Sequence, residues 1–468
     1  MIANLKRYAD YKESGLPWLG QVPEHWKVRP AFGAFVPNHE RNHGMKEKTV
    51  LSLSYGRIII KPADKLHGLV PESFETYQIV NPGDIVLRTV DLQNDHTSLR
   101  VGMVRDRGII TSAYLALRVD TGVKPEFGFQ FLNVWDCSKA IYGYGSGLRQ
   151  NLDFAHFKRM PVAVPPPAEQ TAIVRFLDWA NDRLERAIRA KRNVIALLNE
   201  QKQAIIHRAV TRGFDPSVPL KTSGIPWIGD IPQHWEVRRA KQLCAAIIDC
   251  KNRTPDMVDG GKFVVIRTTN IRHGNFTLMG SYSTDQRNYE IWTQRGAPRV
   301  GDVFFTREAP VGEACLVPDR GDICMGQRMM YFRPNSAVLD ARFLLSSIYG
   351  PVVRRYIEIE ANGSTVGHLR LGQVSALPLL WCPIKEQKEI VTHIGGESAP
   401  LNVAISRLER EIELLREYRT RLIADVVTGK LDVREAAARL PDETPPDTAE
   451  NDTDPSDETE AADEEAAA

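Results

Sequence analysis

One block of sixteen residues occurs twice in this chain. Ser14-Gly-Leu-Pro-Trp-Leu-Gly-Gln-Val-Pro-Glu-His-Trp-Lys-Val-Arg29 returns 209 positions later as Ser223-Gly-Ile-Pro-Trp-Ile-Gly-Asp-Ile-Pro-Gln-His-Trp-Glu-Val-Arg238, with ten of sixteen positions identical. Self-similarity at that separation makes two like modules the first expectation. Weaker echoes follow in the same order: Gly83-Asp84-Ile85-Val86 with Gly301-Asp302-Val303-Phe304, Gly145-Ser146 with Gly363-Ser364, and Pro167…Glu169-Gln170 with Pro383…Glu386-Gln387. The stretches near 50–70 and 250–300 do not align. The frame is repeated and its filling has diverged.

The last echo has the period of a helix. Leu184, Ile188, Lys191, Ile195, Leu198, Lys202, Ile205 and Ala209 fall at alternating three- and four-residue spacing. Leu401, Ile405, Leu408, Ile412, Leu415, Arg419, Leu422 and Val426 repeat that series 217 positions on, a whole number of heptads. A narrow apolar seam with charged flanks suits two paired helices. Residues 169–211 would span about 65 Å if wholly helical. In the second copy Gly395-Gly396…Pro400 predicts an interruption, with a new helix starting at the proline, and hence a shorter second rod.

Between the helices, short β-rich runs (49–53, 58–60, 84–90, 115–119, 263–267, 302–306 and 329–332) alternate with Gly, Pro, Asn and Asp turns. Helices are predicted over 127–137 and 341–357. A length of 468 residues admits two to four domains.

The formal net charge of +1 hides a segregation. Residues 441–468 hold 12 Asp and Glu with no Lys or Arg, leaving 60 basic against 47 acidic residues in the rest. The acidic end, without aromatic or large aliphatic residues, is expected to be disordered. The basic body fits a polyanionic partner. No run approaches the ~20 apolar residues of a membrane span, and the N-terminal segment lacks the apolar core of a secretory signal. Six cysteines (137, 244, 250, 315, 324, 382) show no CxxC or zinc spacing. A reducing cytoplasm is the simplest expectation.

Catalytic motifs are weak. Ile141-Tyr-Gly-Tyr-Gly145 only superficially resembles an AdoMet loop, and Val164-Pro-Pro-Pro-Ala168 lacks the polar and aromatic residues that would hold a target amine. Glu386-Gln-Lys388 with Asp319 has nuclease-like spacing, but its other copy, Glu169-Gln-Thr171, lacks the lysine. Duplication argues instead for a structural carboxylate at a helix start. His25 and His234, inside the repeated Pro-x-His-Trp element, read as packing or hydrogen-bonding residues. There is no GxxxxGK[ST] loop. The chain reads as non-enzymatic.

Taken together, Ser-Gly-[Leu/Ile]-Pro-Trp-[Leu/Ile]-Gly…Pro-x-His-Trp, the Pro-Gly-Asp turn, the Gly-Ser…Glu-Gln block and Leu-Leu-x-Glu…Val-Val-Thr-Gly-Lys-Leu-Asp resemble type I restriction–modification specificity subunits over roughly 11–433. Arg212-Gly213-Phe214 and Gly395-Gly396 depart from that pattern. The resemblance implies an α+β chain: two mixed α/β target-recognition domains separated by two long antiparallel helices forming a coiled coil, with a pseudo-twofold internal repeat. The expected limits are 1–167, a spacer helix at 168–213, 214–383, a second spacer at 384–433 interrupted near 395–400, and a tail at 434–468. It also implies a reader of a bipartite, asymmetric sequence in double-stranded DNA, with two methyltransferase subunits and restriction subunits as partners. AdoMet, ATP and Mg would sit on those partners, and this chain would hold no cofactor, no metal and no membrane contact. The alternatives are a coiled-coil scaffold whose modules do not bind DNA, and a self-sufficient methyltransferase or nuclease.

Phosphates select Lys and Arg, guanine edges select Arg, and adenine edges select Asn or Gln. On that basis the candidate DNA contacts are Arg41, Asn42, Lys46, Arg57, Arg88, Arg100 and Arg149 in the first module. In the second they are Lys251, Asn252, Arg253, Arg267, Thr269, Asn270, Arg272, Arg307, Gln327 and Arg328.

Overall fold

Two long helices, Pro167–Arg212 of 46 residues and Ile384–Val427 of 44 residues, dominate the computed structural model. The structure describes residues 5–62, 73–90, 92, 99–144, 152–361 and 367–441. Its residues divide into two units, Met1–Ala190 with Glu411–Ala468 and Lys191–Arg410. Each unit thus contains one mixed α/β head and a part of both long helices.

In the first unit a four-stranded antiparallel sheet runs in the order Phe35–Pro37, Leu115–Val119, Ile85–Leu87, Val101–Met103. Helix Pro125–Cys137 packs on it, burying Phe127, Phe131, Leu132 and Trp135. That face forms one core with Trp26, Phe176, Leu177 and, from the second long helix, Leu422, Val426 and Val427. In the second unit the sheet order is Cys244–Asp249, Met329–Pro334, Val303–Arg307, Val311–Leu316. Each sheet therefore places its strands in the same sequence order: first, fourth, second, third.

The strand start that repeats as Gly-Asp is built alike in both units. Gly83 (φ 92°) and Gly301 (φ 90°) take the left-handed conformation that costs other residues most. The following aspartates fold back, Asp84 accepting from Asn81 N at 2.8 Å and Asp302 from Arg299 N at 3.0 Å.

Each head enters and leaves its unit through one short ladder. Lys27–Pro30 pairs with Pro161–Val164, setting Pro30 opposite Pro161, and Glu236–Arg239 pairs with Pro378–Trp381, setting Arg239 opposite Pro378. Everything between those partners is a closed excursion from the frame.

Three expectations need correction. The tail does not begin at 434, because Arg434–Ala438 forms a helix whose Ala437 joins the first unit's core and Leu440 is buried beside it; residues 442–468 lie outside the described residues. Residues 395–400 do not break the second long helix, which passes through Pro400 without interruption and nearly equals the first in length. An interior proline costs a helix about 3 kcal/mol, yet this one is held on both sides. Ile390 and Ile394 are anchored in the second unit's core, and Leu401, Ile405 and Leu408 sit half-buried along the seam. Tertiary packing outweighs the local propensity. The helix predicted over 341–357 is in fact two, Ala341–Ile348 and Pro351–Ala361, because Gly350-Pro351 ends the first and opens the second.

The heptad positions behave as a seam. All sixteen are buried or half-buried, whereas Val194, Leu197, Val403 and Leu414, off the seam, are exposed. Within the first unit the two helix segments run antiparallel, with Arg419 on Glu185 and Arg175 donating to the carbonyls of Leu440 and Pro441. Within the second unit they do the same, with Lys202 Nζ donating to Asn402 Oδ1 at 2.8 Å and the Phe214 and His393 rings 5.7 Å apart. Among the described residues no helix is long and apolar enough to cross a membrane.

Candidate nucleic-acid interface

The repeated motifs meet at the helix starts. Glu169, in the first turn of the first long helix and 4% exposed, accepts from Trp26 Nε1 at 2.9 Å and Tyr8 Oη at 2.7 Å through Oε1, while Oε2 lies 2.8 Å from His25 Nε2. In the second unit Glu386 accepts from Trp235 Nε1 at 2.9 Å and lies 2.8 Å from His234 Nε2. The adjacent glutamines match as well. Gln170 accepts from Lys124 N and donates to the Gly122 and Pro165 carbonyls; Gln387 accepts from Asp340 N and donates to those of Val338 and Cys382. Both ties bind a head to a helix. Burial, reinforced by the Glu169 carboxylate, pushes the Tyr8 phenol far above its usual range. The nuclease-like Glu386 is thus committed to an indole and an imidazole.

The candidate contacts of the first unit fall in three places. Arg41 and Lys46 are exposed on the 38–49 loop, where the Arg41 guanidinium donates to Thr76 O at 2.9 Å. Arg57 is exposed immediately after a two-residue turn in which Tyr55 (φ 45°) and Gly56 (φ 73°) are both left-handed. That turn gives the hairpin Leu51–Ser54/Arg57–Ile60 the twist its strands need. Arg88 and Arg100 are backbone partners where two sheet strands diverge. Arg149 lies outside the described residues.

The second unit draws most of its candidates together. Gln327 Nε2 donates to Asn252 O at 3.2 Å, and Gln327 N to Thr254 Oγ1 at 3.4 Å. Arg328, left-handed at φ 72°, pairs with Glu308 at 3.5 Å, and its carbonyl accepts from Arg307 N. Strands Phe263–Ile266 and Ile323–Met325 run parallel, so Arg267 and Thr269 emerge at the same end of the sheet as Gln327. Arg272 projects from the neighbouring hairpin Ile271–Arg272/Asn275–Phe276.

Three of the candidates have their polar groups spent inside the protein, and a fourth is held in an ion pair. Asn42, fully buried, donates to the carbonyls of Glu47 and Phe74. Asn270, also fully buried, donates to those of Thr277 and Met279. The Arg100 guanidinium, fully buried, donates to the Arg88 and Val90 carbonyls, and Arg307 is paired with Asp249 at 3.1 Å. These side chains build the loops. The exposed set left to meet a ligand is Arg41, Lys46, Arg57, Asn252, Arg253, Arg267, Thr269, Arg272, Gln327 and Arg328, with Lys251 half-buried beside them.

Sequence reasoning missed Trp292. Its ring lies 5.7 Å from Lys251 Nζ and 5.6 Å from the Arg253 guanidinium carbon, and its Nε1 donates to Arg253 O at 3.0 Å. No periodic signal links positions so far apart in the chain. The six thiols form no disulfide, and burial pushes those of Cys244, Cys315 and Cys324 up to about 12, away from nucleophilic use.

No family model matches the chain. Over 433 residues it is 19% identical to the MjaX type I restriction enzyme specificity subunit of Methanocaldococcus jannaschii, covering 89% of this chain and 96% of that one. The chain is similar to a type I restriction enzyme specificity subunit over nearly its whole length. Its fold is that of a chain from a structure of type I restriction–modification complex assembly and conformational transition, with a TM-score of 0.59 at 15% identity, covering 88% of this chain and 99% of that chain. The HsdS subunit of Thermoanaerobacter tengcongensis superposes more loosely, with a TM-score of 0.41 at 15% identity over 88% of this chain and 98% of that one.

Proposed function

We propose that this chain is the DNA-reading specificity subunit of a type I restriction–modification complex. Each head would read one half of a bipartite, asymmetric target in duplex DNA. The long helices would form one continuous antiparallel coiled coil that spaces the heads and docks two methyltransferase subunits, with restriction subunits joining them. AdoMet, ATP and Mg would be held by those partners. The observation that carries the reading is the paired tie at the helix starts: one set of hydrogen bonds recurs in both units while the loops above it differ in sequence and build. A repeated frame bearing unlike loops is what two different half-sites require. Half-sites about one DNA turn apart present the same side of the duplex. The same number of residues separates Glu185 from Lys202 as Asn402 from Arg419, which supports a single register for the coiled coil.

Two experiments test this. Sequencing of methylated adenines in cells carrying the complete complex should return one split, non-palindromic motif; a palindrome or an unsplit motif would overturn the two-reader scheme. Matched seven-residue insertions in both long helices should preserve assembly and change the gap in that motif. Two-residue insertions rotate the seam by about 200°, just over a half turn, and should abolish co-purification with the methyltransferase subunit. Equal assembly from both would refute a continuous heptad spacer.

A further inference from the structure

Residues 250–262 of the second unit run without helix or strand, yet the first part of this loop is pinned at nearly every step. Cys250 N donates to Met329 O at 3.1 Å, Asn252 O accepts from Gln327, and Arg253 O accepts from the Trp292 indole. The indole itself is fixed from behind. It ends the helix Gln286–Trp292, which Asp285 caps by accepting from Asn288 N, and whose Tyr289 stacks on Phe263 at 4.1 Å. Trp292 therefore touches the loop twice, holding its backbone through Nε1 and offering its ring to Lys251 and Arg253. Asn252 and Arg253 are exposed on the outer side. A loop ordered before it meets its ligand loses little freedom on binding, and a cation on an exposed aromatic face is held only weakly, which leaves it available to a phosphate.

Resting on the reading of this unit as a DNA-binding head, we infer that Trp292 is the positioning residue of the second reader, presenting Lys251 and Arg253 together to the DNA backbone. It acts through those two cations and itself makes no base contact.

The test uses the full chain and a random-sequence 40-base-pair duplex, followed by fluorescence anisotropy across a KCl series. Each duplex phosphate contact adds about 0.9 to the slope of log K against log[salt], so K251A/R253A should lower it by about two. W292A should lower the slope by nearly as much and weaken binding about tenfold at low salt. W292F, which keeps a ring but not the N–H, should restore most of the slope. The triple variant should bind no more weakly than K251A/R253A, since the positioning residue has nothing left to position. Thermal melting of each variant checks that the unit is folded; if W292A is not, W292L, which fills the space but offers neither an aromatic face nor an N–H, takes its place and should show the same loss of slope. A W292A slope equal to wild type, or a triple variant showing the full sum of both losses, would overturn the inference. If the wild-type chain showed no salt-dependent duplex binding at all, the DNA-reading function would fall instead.

Discussion

Replacing residues 31–160 with the corresponding segment of another specificity subunit should change one half of the methylated motif completely and leave the other half untouched. The boundaries follow from the ladder at the base of the head. Pro30 and Pro161 face each other across it, so the segment between them begins and ends at neighbouring backbone positions. A cut there leaves Tyr8, His25, Trp26 and Glu169 within the retained frame. It also retains the C-terminal helix segment whose Leu422 and Val426 share the first unit's core. The matching exchange in the second unit is 240–377, inside Arg239 and Pro378. Methylated-adenine sequencing reads the outcome directly. A change in both halves after a single exchange would mean that the heads do not read independently.

The second large effect is on stability. Glu169→Ala should destabilise the chain by roughly 3–5 kcal/mol, since it leaves the Trp26 indole N–H and the Tyr8 hydroxyl buried without their acceptor. At about 2–4 °C per kcal/mol for a unit of this size, the first unit's melting transition would fall by about 10 °C. Glu386→Ala should cost less, about 1–2 kcal/mol. Its side chain is 24% exposed against 4% for Glu169, and no tyrosine leans on it. Glu169→Gln keeps a carbonyl oxygen for the indole and should recover most of the loss. Scanning calorimetry of the three variants orders them. Equal losses at the two glutamates would mean that the ties are not graded by burial.

Much of the frame could be read from the chain. The sixteen-residue repeat, the Glu-Gln pairs and the in-phase heptads each mark a part of it, and the seam positions are the sheltered ones in the structure. The sequence could not say that His-Trp and Glu-Gln touch, because the partners lie far apart in the chain and neither motif has an intrinsic reason to seek the other. It also misled where local preference and packing disagree. Gly395, Gly396 and Pro400 argue against a helix by propensity alone, but the core around Ile390 and Ile394 and the seam after Leu401 keep it helical. The interface was the least legible part. Residue type reveals which side chains can donate to a base, though not which have donors to spare. Asn42, Arg100 and Asn270 have the right chemistry and spend it on their own loops. Trp292 became visible only when folding brought it beneath Lys251 and Arg253.

Two of the polar pairs that join the helix segments bear on their alignment. An all-aliphatic seam is nearly the same one heptad up or down, so its strips could slip against each other like unmarked rulers. Arg419 on Glu185 and Lys202 on Asn402 work as graduation lines. A slide in either direction would part both pairs, which lie at the solvent edge of the seam and so mark register more than they add stability. Each pair lies within one unit and marks the alignment of that unit's own two helix segments, and swapping the four side chains for leucines should leave each segment pair free to settle one heptad away.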